Sequence, residues 1–189
     1  SGRVLVDGVD VRKLPQEELR AKIGFVPQKA VLFTGSVADN LRYGKDDANE
    51  EELLHAAQVA QADGFISGME AGFGTMLSEG GLNLSGGQKQ RLAIARAILR
   101  KPEIYVFDDS FSALDFKTDA KLRAALRKET GNATVIIVAQ RVGSVMNADR
   151  IIVLDEGSVA GIGTHRELLR TCKVYREIVS SQLSQEEMA

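Results

Sequence analysis

Two clusters in this chain carry the residue types of phosphate chemistry: Ser85-Gly86-Gly87-Gln88 and, further on, Asp108-Asp109. Serine is a favoured helix N-cap, and paired glycines let backbone N–H groups approach an anion closely. Free N–H groups at the positive end of a helix dipole make a seat for phosphate. A hard carboxylate such as Asp108 suits a hard cation such as Mg²⁺, reached through water.

The elements between the two clusters would hold them in place. Leu92, Ile94, Ala95, Ile98 and Leu99 continue at helical spacing from the glycines until Pro102 stops the run. Ile104-Tyr105-Val106-Phe107 is then a continuous apolar run, the pattern of a buried parallel strand. Asp108 and Asp109 fall at its C-terminal end, where open α/β sheets place their ligands.

In this order the segments resemble the nucleotide-binding domain of ABC transporters. Leu84 to Gln88 matches the family's LSGGQ signature, Ile104 to Asp108 its Walker B strand, and Ser112 to Asp115 its D-loop. The resemblance implies a mostly parallel P-loop NTPase core of α/β class, a helical subdomain at about residues 40–100, part of an antiparallel subdomain, and ATP with Mg²⁺ as ligands. It further implies that two such domains pack head to tail around two ATPs. Ser85, Gly86, Gly87, Gln88 and Asp115 would then contact nucleotide, with Asp108 and Gln28 at the metal.

The chain departs from the family pattern in three places. No G-x-x-x-x-G-K-S/T phosphate loop occurs in it, nor the upstream aromatic that stacks on adenine. This predicts a chain truncated just after the P-loop helix, or a gene that lost that end, and poor ATP binding by the chain alone. Removal of a central strand would also expose apolar edges and leave the chain unstable or associated. Second, catalytically competent members have glutamate where this chain has Asp109. Aspartate is one methylene shorter, and a misplacement near ~1 Å costs roughly 10²-fold in rate; Asp109 also suits a plain turn cap. Third, Thr134-Val135-Ile136-Ile137-Val138-Ala139 reads as another buried strand, and Gln140 follows it where the family has a switch histidine. Glutamine can hydrogen-bond a phosphate but carries no proton or charge. Asp109 and Gln140 together predict a degenerate site in this chain. The intact Ser85 to Gln88 would instead complete a partner's site in a heterodimeric exporter.

The first half reads consistently with this. Arg3 to Gly8 is a strand leading into a turn, and Pro15 to Ile23 a short helix. Gly24-Phe25-Val26 is a strand ending at Pro27, after which Gln28 corresponds to the family's Q-loop glutamine, beside Mg²⁺ and its water. Leu32 to Leu41 continues as in exporter-type domains. Asn49 to Met69 is helical, capped at Asn49, with Leu53, Leu54, Ala57 and Ala60 on its apolar face. Ser78 to Gly81 resembles the exporter X-loop, which with the Gln28 loop touches the coupling helices of a membrane domain; a flexible glycine turn is the plainer alternative. His55 has no partner at ligand spacing and reads as an ordinary histidine.

Beyond the strand at Thr134, Val142 to Asn147 is a short helix, Arg150 to Gly163 a strand pair around a glycine turn, and the remainder from Thr164 helical with a frayed end at Ser184 to Ala189. His165 belongs to this late region and does not replace the missing switch histidine. Lys117 to Thr130 is an amphipathic helix. The chain's 189 residues suffice for one sizeable core, and its net charge of −2 gives no electrostatic footprint for nucleic acid. No run is long and apolar enough to cross a bilayer, and one cysteine, Cys172, fits a reducing cytosol; the exporter resemblance implies the cytoplasmic face of a membrane. Three functions remain open: an ATP-hydrolysing motor subunit of an exporter, a non-catalytic regulatory half, and a soluble ABC ATPase unconnected with transport.

Overall fold

The computed structural model describes residues 2–182. They fall into two compact units divided between Val138 and Ala139.

The first unit opens with a hairpin, β1 (Leu5–Val6) and β2 (Val9–Asp10), so the expected strand has a return partner. Asp7 and Gly8 turn it with φ of 50° and 78°, the positive values a tight right-twisting hairpin needs. Pro15 takes the cap position of α1 (Gln16–Ala21), which ends short of the expected Ile23; that residue opens β3 (Ile23–Val26), which stops at Pro27 as read from the sequence. A short strand β4 (Gly35–Ser36) leads into α2 (Val37–Arg42), where Ser36 and Asp39 form a reciprocal capping box.

Asn49 caps α3 (Glu50–Val59) in the same way, with Glu52 as its partner. The helical stretch expected through Met69 is broken, however. Gln61 adopts φ 56°, its N–H bonds the Gln58 carbonyl at 3.0 Å, and Ala62 N–H bonds the Ala57 carbonyl at 2.7 Å. These bonds are a Schellman ending with glutamine in glycine's usual place, and α4 (Asp63–Ser67) starts anew beyond it. Leu54 also lies off the core face, 44 % exposed, while Leu53, Ala56 and Ala57 are buried.

Strand β5 (Met76–Leu77) pairs antiparallel with β4. Helix α5 (Gly86–Arg100) begins and ends where the sequence places it: Ser85 is the cap, and left-handed Lys101 precedes Pro102. Its apolar residues Leu92, Ile94, Ala95, Ile98 and Leu99 are all buried. Next come β6 (Ile104–Asp108), α6 (Phe116–Glu129) and β7 (Thr134–Val138). The sheet has the order β3-β6-β7 and is parallel throughout, with Ile23 opposite Ile104 and Ile104 opposite Thr134. Val26 and Phe107 from the sheet share one core with Leu92, Ile94 and Ile98 of α5 and Leu122 of α6.

One expectation about this sheet is overturned. Strand β7 is not buried: Ile136 is 48 % and Val138 52 % exposed. Among the described residues β7 pairs with β6 alone, so it is an edge strand. A continuous apolar run identifies a parallel strand but does not set its place in the sheet.

The second unit comprises α7 (Val142–Val145), the antiparallel hairpin of β8 (Ile151–Asp155) and β9 (Ser158–Gly163), α8 (His165–Thr171) and α9 (Lys173–Gln182). Its core is Val142, Ile151, Val153, Leu168, Tyr175 and Val179, joined by buried Cys172 between the last two helices. The polar end at Ser184 to Ala189 lies outside the described residues.

Candidate functional site

Two strand ends build the acidic cluster. Asp108 is the last residue of β6 and half-buried. Asp109 leaves the strand at φ 43°, a left-handed conformation that aspartate tolerates better than most side chains. Its N–H donates to the Val138 carbonyl at 2.9 Å, and its own carbonyl accepts the Ser112 hydroxyl at 2.9 Å. The backbone therefore holds the turn, and the Asp109 carboxylate is not its cap. That carboxylate instead accepts the Gln28 side-chain amide at 3.3 Å. Ser110, completely buried, donates to the Val26 carbonyl at 3.0 Å and fastens the turn to the strand that leads to Gln28.

A second group of candidate residues surrounds the start of α5. Gln88 N–H donates to the Ser85 hydroxyl at 3.2 Å, and Ser85 N–H to the Gln88 side-chain oxygen at 2.9 Å. The first backbone bond of the helix runs from Lys89 to Ser85, which leaves Gly86 and Gly87 N–H without intrahelical acceptors. The two glycines differ. A Cβ on Gly87 would lie 3.0 Å from the Ala113 carbonyl, so α5 and the Ser112–Asp115 turn approach closely there. A Cβ on Gly86 would meet nothing within 4 Å, so no neighbour in this chain demands a glycine. The exposed serine, the bare glycine and two unused N–H groups form a surface able to take an anion.

Asp115 caps α6 by accepting Thr118 N–H at 2.9 Å, and this hydrogen bond holds its carboxyl below the usual carboxylate range. In the Ser78–Gly81 segment Gly80 and Gly81 have φ near +60° (63° and 62°), and the adjoining Leu82 is 82 % exposed. Gln140 belongs to the second unit, where its carbonyl accepts the Gln182 amide at 2.9 Å and its side chain is exposed. His165 pairs with the Tyr175 hydroxyl at 2.7 Å, a local contact within that unit. His55 is exposed and meets Glu129 at 2.9 Å, an ordinary surface pairing.

The structure thus brings Gln28, Asp108 and Asp109 to one place and Ser85, Gly86, Gly87 and Gln88 to another, beside the turn that ends at Asp115. Sequence reading missed three polar residues that support them: Ser110, Gln90 and Arg96. Gln90 had a legible signal, being an uncharged polar residue on the apolar face of α5. The other two had none.

No group of three or more His, Cys, Asp or Glu side chains able to hold a metal occurs among the described residues. A carboxylate from Asp108 and an amide oxygen from Gln28 are oxygen donors of the kind Mg²⁺ takes, one or two from protein with water and substrate phosphate in its remaining positions.

A parallel α/β sheet with carboxylates at its C-terminal edge, beside a glycine-started helix, is the architecture of a P-loop NTPase. The ABC transporter family model matches residues 1–112, and the chain belongs to that family. An uncharacterized ABC transporter ATP-binding protein of Mycobacterium tuberculosis is 52 % identical over 185 residues, covering 96 % of this chain and 31 % of that protein. The ATP-dependent lipid A-core flippase of Chromobacterium violaceum is 42 % identical over 185 residues, 98 % of this chain and 32 % of the flippase. The solved structure of a bacterial Atm1-family ABC exporter with ATP bound superposes with a TM-score of 0.94 at 39 % identity, covering 98 % of this chain and 33 % of that one. The chain therefore spans about a third of the length of the relatives it matches. No helix of the described residues is long and apolar enough to cross a membrane.

Proposed function

We propose that this chain is part of the ATP-driven motor of an ABC exporter, acting at the cytoplasmic face of a membrane. Within it, this chain is the half whose own site hydrolyses slowly and whose α5 start completes the site of a second nucleotide-binding domain. The carrying observation is Gly86: no neighbour among the described residues requires a glycine there, yet it stands exposed beside a cap serine, its own N–H and that of Gly87 without intrahelical acceptors. A phosphate brought by another chain would use all three.

In this reading Asp108 and Gln28 hold Mg²⁺, which when bound neutralises charge on the phosphates. Asp109 faces the attacking water, and Gln140, in the second unit, stands in the sequence where the family has its switch histidine. Asp109 serves poorly as a base, because its carboxylate is a methylene short and already engaged by Gln28. Gln140 cannot carry charge, so the partner should supply a glutamate and a histidine at the corresponding places. Asp115 positions the turn beside the signature. The Gln28 loop and Ser78–Gly81, with exposed Leu82 next to it, face the membrane domain. The sequence contains no phosphate loop, so the 189-residue chain alone should not turn over ATP. A purely regulatory half that binds nucleotide without hydrolysis is the second reading, favoured by the same two substitutions.

Vanadate trapping of nucleotide in the full-length protein with its partner tests this. The expected outcome is Mg²⁺-dependent turnover with trapped nucleotide on the partner's catalytic side. Equal trapping on both chains contradicts the asymmetric assignment, and absence of Mg²⁺-dependent turnover contradicts the motor itself.

A further inference from the structure

Beyond β3 the chain passes through Pro27 and Gln28 without a strand partner, so the carbonyls along it take hydrogen-bond donors from elsewhere. Side chains supply them. The Val26 carbonyl accepts Ser110, as described. The Pro27 carbonyl accepts the Gln90 side-chain amide at 3.0 Å, 63 positions away in the chain. The Val31 carbonyl accepts the Arg96 guanidinium at 3.1 Å, 65 positions away.

Gln90 and Arg96 both stand on α5. Gln90 is only 3 % exposed, on a helix face otherwise filled by buried Ala93, Ile94 and Ala97. A leucine or methionine would serve packing there equally well, and a buried amide costs free energy unless it is hydrogen-bonded. Its bond to Pro27, the residue directly before Gln28, therefore does what packing does not require. Arg96 is held by neutral groups: it also donates to the Asn40 carbonyl at 2.8 Å and to the Asn40 side-chain oxygen at 3.2 Å, and lies over the rings of Phe33 and Tyr43. Asn40 in turn holds Phe33 by both its backbone groups, each at 2.9 Å. The segment leaving Gln28 is thereby tied to α5 on its far side as well.

We infer that Gln90 is a positioning residue for Gln28: its amide, bonded to the Pro27 carbonyl, sets where Gln28 stands and, with Arg96 at Val31, ties the Gln28 loop to the helix that begins at Ser85. The inference rests on the proposed roles of Gln28 at this chain's own Mg²⁺-nucleotide site and of Ser85–Gln88 at the partner's. It adds that a shift of α5 against the partner's nucleotide reaches Gln28 through one buried side chain. The two sites are then linked within a single chain by packing and hydrogen bonds.

The test uses the full-length protein with its partner and an azido-ATP photolabel. The readout is the Mg²⁺ concentration for half-maximal labelling of this chain. Gln28→Ala and Gln90→Met should each raise it, by about threefold or more. The double variant should stand no higher than Gln28→Ala alone, because both changes act through one group. A Gln90→Met protein with unchanged Mg²⁺ dependence, where Gln28→Ala shifts it, overturns the inference and leaves the Gln28 assignment intact. Multiplied effects in the double variant overturn it as well. No shift in Gln28→Ala removes the Gln28 assignment and the inference together. If Gln90→Met lowers the yield of folded protein, Gln90→Asn, which keeps the amide but withdraws it by a methylene, makes the same comparison.

Discussion

The Gln28 amide donates to the Asp109 carboxylate across 3.3 Å, joining positions 81 apart in the chain at the ends of adjacent parallel strands. Asp109 is thus occupied by a neutral donor on its own side of the site. A glutamate at this position would carry its carboxylate roughly 1 Å further from the backbone, which in the proposed reading is the reach an attacking water needs.

Asp109→Glu should therefore raise turnover at this chain's own site by about tenfold, read as vanadate-trapped nucleotide on this chain. The gain has a structural cost. Position 109 has φ 43°, and exchanging aspartate for glutamate there should lower stability by up to about 1 kcal/mol. Unchanged trapping would remove side-chain length as the reason for a slow site.

The two signature glycines should separate function from folding. Gly86→Ala places a methyl in open space at negative φ and should stabilise the protein by about 0.4–1 kcal/mol, while ATP turnover of the pair falls by about tenfold or more. Gly87→Ala pushes a methyl toward the Ala113 carbonyl, 3.0 Å away, and should destabilise by about 1–3 kcal/mol. Urea unfolding and ATPase on the same preparations check both. A Gly86→Ala protein of full activity would remove the anion-facing role of the α5 start.

Ser85→Asp offers a complementary test. Aspartate caps helices as well as serine does, so unfolding midpoints should stay within about 0.5 kcal/mol of the parent. A carboxylate beside a bound phosphate repels it, so turnover of the pair should fall by at least about tenfold. A serine that acted only as a cap would leave turnover unchanged.

Tyr105 supplies a pH dependence with a definite sign. Burial against the sheet core pushes its hydroxyl up to about 12 from 10.0. Between those values the folded protein keeps a proton that the unfolded chain releases, so stability must fall as pH rises from 10 toward 12. Below pH 10 the residue contributes no slope. Tyr105→Phe should flatten the fall of the urea midpoint across that interval, and identical profiles would place the hydroxyl in water.

Locally encoded features were legible in the sequence. Ser85, the glycines and Pro102 fix both ends of α5, and Asp7-Gly8 and Glu156-Gly157 mark tight turns whose backbone the structure shows at positive φ. The break after α3 was not legible, because Gln61 takes a conformation usually signalled by glycine. An exposed apolar edge was expected, but that β7 is one was not legible, since its exposure depends on which strands flank it rather than on its own residues. The supports of the candidate site are the extreme case. Ser110 reaches Val26 across 84 positions and Gln90 reaches Pro27 across 63; the polarity of Gln90 on an apolar helix face was a signal, but neither partner could be read at such separations. Sequence reading therefore named candidate contact groups and missed the side chains that hold them.

The most direct measurement is steady-state ATPase of the full-length protein with its partner, carrying Asp109→Ala. If this chain's own site is the slow one and its α5 start is its catalytic contribution, turnover should stay within about twofold of the parent. A fall of about a hundredfold or more would make Asp109 a working base and contradict the asymmetric account.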